Sequence, residues 1–285
     1  LNRPYIKMDE KLQKFLANRG YGSRRQIEQW ISDGRVRLNN SVAKIGDRVS
    51  INDSIFLDNK KVRSRELVET HIIVYNKPEG LVSTTKDTRG RPLVFDNLPP
   101  LKRGKWISVG RLDINTSGLM LFTTNGELAN RLMHPKYSID RKYLVRVYGK
   151  VEKKNIEALK KGILIGDEYS RFKSIEFKNE VLKDQVRLNN WFQVTLGSGK
   201  NREVRSLWES QGFDVSRLKR ISYGPVILPS FVRPGNYTYL SEKEVAQLAN
   251  LVNLNFALRN DLTLQKKSQR NERRLRSKGS KVKVR

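Results

Sequence analysis

The chain has 285 residues, 37% of them hydrophobic, enough for one sizeable core and a small second domain. Its 57 Lys and Arg outnumber 29 Asp and Glu and leave a formal net charge of +28, which points to a polyanion, nucleic acid first among them, as partner. The lack of cysteine excludes a disulfide scaffold and Cys-ligated zinc, two histidines are too few for a usual metal cage, and no apolar run approaches the length of a bilayer span.

Arg3 and Lys7 are followed by no apolar stretch, so residues 1–8 read as an extension rather than a secretory signal, and a cytoplasmic protein is expected. Residues 9–66 read as a small module. Leu12, Phe15 and Leu16 have helical spacing, and Gly20 is a plausible stop. Ser23, with Gln26 three residues on, forms a capping box that opens a second helix with Ile27, Trp30 and Ile31 inward, ended by Gly34. Val36, Leu38, Val42, Ile45, Val49, Ile51 and Ile55 suggest short strands with turns at Asn39–Asn40 and Gly46–Asp47. Arg24 and Arg25 must point outward, and Arg19, Arg35 and Arg37 add to the same basic region. The run KFLANRGYGSRRQIEQWISDGRVRLNNSVAKIGDRV resembles an S4 RNA-binding domain. That resemblance implies docking on RNA shape through the two helices. The plainer alternative is a solvated face of a helical hairpin.

Residues 60–69 are charged and poor in periodic apolar positions, and read as a linker. A larger domain is expected over residues 67–255. Strands are predicted at 72–75, 106–109, 119–123, 143–148 and 191–196, and helices at 127–133, 153–161 and 202–211. Interspersed strands and helices without a strict βαβ repeat favour an α+β fold with a mainly antiparallel mixed sheet. A further helix pattern over 241–255 places Val245, Leu248 and Leu251 inward. Residues 256–285 form a basic tail. Its last twenty residues carry ten Lys or Arg against Glu272 alone, +9 of the +28, so the basic character is not only a tail effect. Such a segment cannot bury enough apolar surface to fold alone, and is expected to be disordered unless phosphates order it.

The run GRLDINTSGLMLFTTNGEL, residues 110–128, places a polar turn between two predicted strands. Loops on a rigid scaffold are where functional groups are usually presented. Asp113, between Leu112 and Ile114, is either a partly buried carboxylate that needs a partner or the cap of an Asp-Asn-Thr turn. Taken alone, Tyr143 is an ordinary strand aromatic, Arg111 and Arg205 are two cations among many, and His134 ends a helix before Pro135.

Taken together, the segments form an ordered set: KPEG at 77–80, GRLD…TSGL…TNGEL, the Lys142–Tyr143 pair, and NREVR at 201–205. The set resembles the RNA pseudouridine synthases of the RsuA/RluB/RluE/RluF type over nearly all of residues 8–260. The resemblance implies a catalytic aspartate at Asp113 and, at Arg111, an arginine that fills the stack vacated by the target base. It implies at Tyr143 a tyrosine packed on the flipped uracil, and at Arg205 an arginine paired with the aspartate. Val204 stands where Ile or Leu usually lines the pocket, and NREVR replaces the Gln-Ile-Arg form. Lys77 is a candidate phosphate contact or part of a turn. No cofactor or metal is implied. The S4-like module with a basic tail implies, within that family, a monomer acting on large-subunit (23S) rRNA or a pre-ribosomal particle. Small-subunit rRNA, or a non-catalytic role in ribosome assembly, is the alternative.

Overall fold

The computed structural model describes residues 10–50, 52–62, 69–178 and 189–254. The expected extension at 1–8 and the basic tail at 256–285 lie outside the described residues. Two compact units emerge. The smaller comprises the residues up to Thr70 with 100–106 and 124–126, and the larger holds the remainder.

In the smaller unit, β1 (Glu10–Lys11), α1 (Leu12–Asn18), α2 (Arg24–Ser32), β2 (Val36–Leu38), β3 (Ser41–Val42), β4 (Arg48–Val49), β5 (Ile55–Leu57) and β6 (Lys60–Lys61) follow in order. The start of α2 is fixed locally. Ser23 Oγ accepts from Gln26 N at 3.1 Å, and the Gln26 side chain accepts from Ser23 N at 3.4 Å. Two N–H groups that the first helical turn leaves unpaired are thereby satisfied. Leu12, Leu16, Ile27, Ile31, Val36, Val49 and Ile55 form the core beneath the antiparallel order β3-β2-β5-β6. Two sequence expectations change. Val42 falls on β3 as expected, but Ile45 lies in a turn rather than a strand, and both are exposed. Lys60 and Lys61 pair with Leu57 and Phe56, so the sheet runs into the expected linker; charged residues suit such an edge strand. Ile51 falls outside the described residues.

The larger unit contains β7 (Ile72–Lys77), β8 (Ile107–Val109), β9 (Ser117–Thr123), α3 (Gly126–Met133), β10 (Arg141–Tyr148), α4 (Lys153–Lys161), β11 (Ile163–Ile165), β12 (Glu168–Ser170), β13 (Ser174–Phe177), β14 (Asn189–Leu196), α5 (Glu203–Glu209), β15 (Asp214–Tyr223), β16 (Val226–Ile227), β17 (Tyr237–Tyr239) and α6 (Glu242–Leu251). Among the described residues its main sheet runs β13-β14-β10-β15-β9-β7-β17, with β16 on β15 and β8 on β9. Every pairing is antiparallel except β9 with β15, so the fold is α+β with a mainly antiparallel mixed sheet.

All six residues of β7 are buried, as befits a central strand with both faces covered. Val74, Leu119, Leu121 and Val109 meet Leu128, Leu132, Val245, Leu248 and Val252 in one core. Val252 rather than Leu251 completes the inner face of α6, because it lies two helical turns beyond Val245 while Leu251 is exposed. Ten-residue β15 has no counterpart among the predicted elements. Register shifts occur against Lys142/Tyr143 and Arg146/Val147, and these break the period-two pattern by which a strand is read. Among the described residues, no helix is long and apolar enough to cross a membrane.

Candidate active site

The loop 110–116 joins β8 to β9 at one end of the sheet. Its backbone is held carbonyl by carbonyl. Leu112 O accepts from Ser83 Oγ at 2.8 Å, and Leu112 N donates back to that hydroxyl at 3.4 Å. Asp113 O accepts from Thr116 N at 3.0 Å and from Lys77 Nζ at 3.1 Å. Ile114 O accepts from Gly80 N at 2.8 Å and from Lys77 Nζ at 3.3 Å. Asn115 O accepts from Arg205 Nη2 at 3.0 Å, and Thr116 O from Lys77 Nζ at 2.9 Å. Five consecutive carbonyls are thus satisfied by side chains and turn N–H groups, which fixes the loop without strand or helix ladders. The Asp113 carboxylate takes no hydrogen bond or ion pair among the described residues; it is half-buried and lines an open cleft of about 830 Å³.

Lys77 is therefore not a phosphate contact. It is 0% exposed, and its ammonium is spent on the carbonyls of Pro78, Asp113, Ile114 and Thr116. Burial pulls its pKa down to about 8, opposed by the carboxylates of Glu79 and Asp113. The KPEG segment places this lysine at the end of a central strand, opposite Gly118 of β9. A side chain there has only the core and the loop to reach.

Arg205 is also corrected. No ion pair joins it to Asp113. Its Nη1 donates to Val215 O at 2.7 Å and its Nη2 to Asn115 O at 3.0 Å. Burial lowers its pKa first and neighbouring Arg202 lowers it further, while the Asp113 charge opposes both. Arg205 thus acts on the loop through backbone, and on the carboxylate only by its field. It stands in the first turn of α5, which begins from Arg202 in the left-handed region at φ 50°. Glu203 fixes the preceding turn by accepting from Ser198 Oγ at 2.6 Å and Lys200 N at 3.2 Å. Beneath α5, Trp208 packs on Phe172 and Phe192.

The other cleft residues come from three elements. Tyr143 on β10 and Val204 on α5 are buried and line the cleft, as does exposed Arg111 from the loop. Asp113, Arg111, Tyr143 and Val204 are thus brought to one cavity, with Arg205 behind the loop. Sequence reasoning missed Ser83, Arg141 and Arg220, which also line it. Arg141 is consumed structurally: its Nη1 donates to the carbonyls of Ile139, Gly197 and Ser198. Ser83 gives no signal in the sequence, and Arg220 lies on the strand whose bulges hide it. Gly118 is needed where β9 meets β15, since a Cβ would stand 2.2 Å from Arg220 O at a φ of +101°. Among the described residues, no group of three His, Asp or Glu side chains could hold a metal ion.

In the smaller unit, Arg24, Arg25 and Arg37 are exposed. Arg35 is exposed too, but its guanidinium is committed to Asp58 through bonds of 2.8 and 2.7 Å. Arg19 does not belong to an RNA-facing set. It is 7% exposed, stacked 3.4 Å from the Phe15 ring centroid, with Nη1 donating to Phe15 O. An arginine so placed contributes packing and cation–π energy to the helix rather than charge to a surface.

A mixed sheet with an aspartate loop at its edge, a tyrosine and an apolar wall across the cleft, and a separate helical module define a class, and comparison with known proteins agrees. The model of the RNA pseudouridylate synthase family matches residues 71–210, and that of the S4 domain matches residues 10–55. The chain belongs to the RNA pseudouridylate synthase family and carries an S4 domain. Within that family it is 49% identical over 253 residues to the ribosomal large subunit pseudouridine synthase B of Pseudomonas aeruginosa, an alignment that covers 88% of this chain and 64% of the relative. The proteins of the same name from Yersinia pestis and Escherichia coli K12 are 45% and 46% identical, covering 92% and 87% of this chain and 82% and 84% of theirs. A crystal structure of a pseudouridylate synthase superposes with a TM-score of 0.58 at 28% identity, over 84% of this chain and 99% of that one.

Proposed function

We propose that this chain converts a specific uridine of large-subunit (23S) rRNA, free or in a pre-ribosomal particle, to pseudouridine, acting as a cytoplasmic monomer with Asp113 as its catalytic carboxylate. The observation that carries the reading is the loop itself. Five carbonyls are tied down by Lys77, Arg205, Ser83, Gly80 and Thr116, while the Asp113 carboxylate is left unbonded in the cleft. A turn built only to cap its own backbone would spend that side chain on a local N–H group. The target preference follows the names of the relatives that align with most of this chain.

The chemistry detaches uracil from C1′ and rejoins it through C5. Both atoms are hidden in stacked RNA, so the nucleotide must be flipped out at a cost of a few kcal/mol. Arg111, exposed at the loop, fills the vacated stack. Tyr143 offers an apolar face to the extruded base, and Val204 closes the wall beside it with one methylene fewer than Ile or Leu. Asp113 then acts at the ribose as base or nucleophile. Arg205 and Lys77 do no chemistry; they hold the loop through its carbonyls. Exposed Arg24, Arg25 and Arg37 of the S4 domain, the paired Arg35 and the basic tail supply phosphate contacts, so affinity falls with salt.

Pseudouridine mapping of both rRNAs from cells with and without this protein tests the reading. One large-subunit position is expected to lose its modification. A lost small-subunit position would transfer the target to the other subunit, and no change at any position would favour the non-catalytic assembly role.

A further inference from the structure

Arg220 stands at the centre of the cleft's framework without an assigned task. On β15 it is opposite Tyr143 of β10 on one side and Gly118 of β9 on the other, and Gly118 lies two residues after the loop that carries Asp113. It lines the cleft and is 2% exposed. Its Nε donates to Leu119 O at 2.7 Å, its guanidinium carbon lies 5.4 Å from the Tyr223 ring centroid, and its buried Nη2 has no partner. Among the described residues, no carboxylate pairs with it. A guanidinium carries five N–H donors and does not give up its proton. Buried with a single hydrogen bond, such a cation is costly until an anion meets it. The backbone cannot retreat, because Gly118 lets β9 press directly on Arg220.

We propose that Arg220 is a further catalytic residue, whose guanidinium receives the negative charge that develops on uracil when its glycosidic bond breaks. The proposal rests on the synthase reading above. When the C1′–N1 bond breaks, its electron pair leaves with the base, and uracil carries a negative charge spread over N1, O2 and O4. C1′ is compensated by a new bond to an Asp113 oxygen, or by loss of the C2′ proton to Asp113, which is returned later. The charge is discharged when C5 bonds to C1′, as the bond from C1′ to Asp113 breaks or the C2′ proton returns; C5 then loses its proton to solvent and N1 takes one up. Substrate and product are isomers, so no co-reactant is consumed. Tyr143, the cross-strand neighbour of Arg220, holds the base where the guanidinium can act. An RNA phosphate would meet the exposed cations of the rim before this buried one. A donor fixed in advance and shielded from water is worth most where charge appears only during reaction.

The test uses Arg220→Met and Arg220→Lys in the full chain, with a stem-loop whose target uridine is tritiated at C5. Single-turnover tritium release is measured beside RNA affinity and thermal melting. Arg220→Met is expected to slow release by about 100-fold, the loss typical of a removed oxyanion donor, with affinity and melting held, and Arg220→Lys to recover part of it. The same stem-loop with 5-fluorouridine supplies a readout that a structural role would not move. Its base is the better anion, so the defect of Arg220→Met in consuming that uridine is expected to shrink. An equal defect with both bases, or release within about threefold of the unaltered chain, would overturn the proposal. Should Arg220→Met fail to fold, Arg220→Lys with the two bases decides by the same criterion. No tritium release by the unaltered chain on either rRNA is a different failure, and overturns the synthase reading itself.

Discussion

The two halves of this chain are both rich in cations and use them in opposite ways. In the larger unit three cations at the cleft are buried and answer to backbone: Lys77 holds four carbonyls, Arg205 two and Arg220 one. In the smaller unit Arg24, Arg25 and Arg37 are exposed, and Arg35 is tied to Asp58 at the surface. Net charge therefore says that a chain is basic, not what any one cation does. A buried ammonium stiffens a loop and is insensitive to salt, whereas an exposed guanidinium waits for a phosphate and is screened.

The largest effect should come from the residue that the buried cations serve. Asp113→Ala is expected to lower pseudouridine formation by at least about 10⁴-fold, the upper end of what a positioned acid–base group contributes. RNA affinity measured by filter retention should hardly change; undiminished activity would remove the loop from the chemistry.

Lys77→Met sharpens the contrast directly. It strips Pro78 O and Thr116 O of their donors and weakens the hold on Asp113 O and Ile114 O. Unsatisfied carbonyls cost about 1–3 kcal/mol each, so a drop of several degrees in Tm and a fall in kcat are expected with the salt dependence of binding intact. A flatter salt slope at unchanged Tm would make Lys77 a phosphate contact after all.

Arg205→Lys is a milder probe of the same support. One ammonium cannot span Val215 O and Asn115 O together, so kcat should fall on the order of tenfold while RNA affinity holds. In the smaller unit the combined Arg24→Ala, Arg25→Ala and Arg37→Ala variant should leave Tm and turnover on a short stem-loop unaltered. Its log–log salt slope of binding should flatten by about 0.9 for each phosphate that is no longer neutralised. Lost stability without a flatter slope would erase the distinction between the units.

The smallest effect is one of pH. Lys77 has a folded pKa of about 8, below the roughly 10.4 of a free lysine, so between these values the unfolded chain holds more protons than the folded one. Stability attributable to Lys77 should therefore rise with pH from about 8 to 10.4, and this slope should be missing from denaturant titrations of Lys77→Met.

Much of the molecule is legible in the sequence because local rules coincide with the fold. The Ser23–Gln26 capping box, the apolar run Ile72–Tyr75 that opens β7, and α4 at Lys153–Lys161 stand where their patterns put them. Asp113, Tyr143, Val204 and Arg111 fall on one cavity because an ordered set of motifs carries them there together. The departures share a cause. Charge assigns Arg19 to a surface and Lys77 to a phosphate or a turn, and the family resemblance assigns Arg205 to an ion pair, yet each finds an aromatic ring or backbone oxygen at close range. Strand β15 escapes because its two register shifts abolish the alternation that marks a strand, and Arg220 is hidden with it.

The sequence by itself determined a basic, cysteine-free chain of two domains, its helix caps, its principal strands and the position of its aspartate. These depend on residues a few positions apart, whose preferences act before any long-range contact forms. Only the tertiary structure decided which cations hold the Asp113 loop and which guanidinium lies unpaired in the cleft. Those roles are set by partners 36 to 101 positions away, as between Lys77 and Asp113 or Leu119 and Arg220, and no local pattern encodes where a carbonyl will be left waiting for a donor.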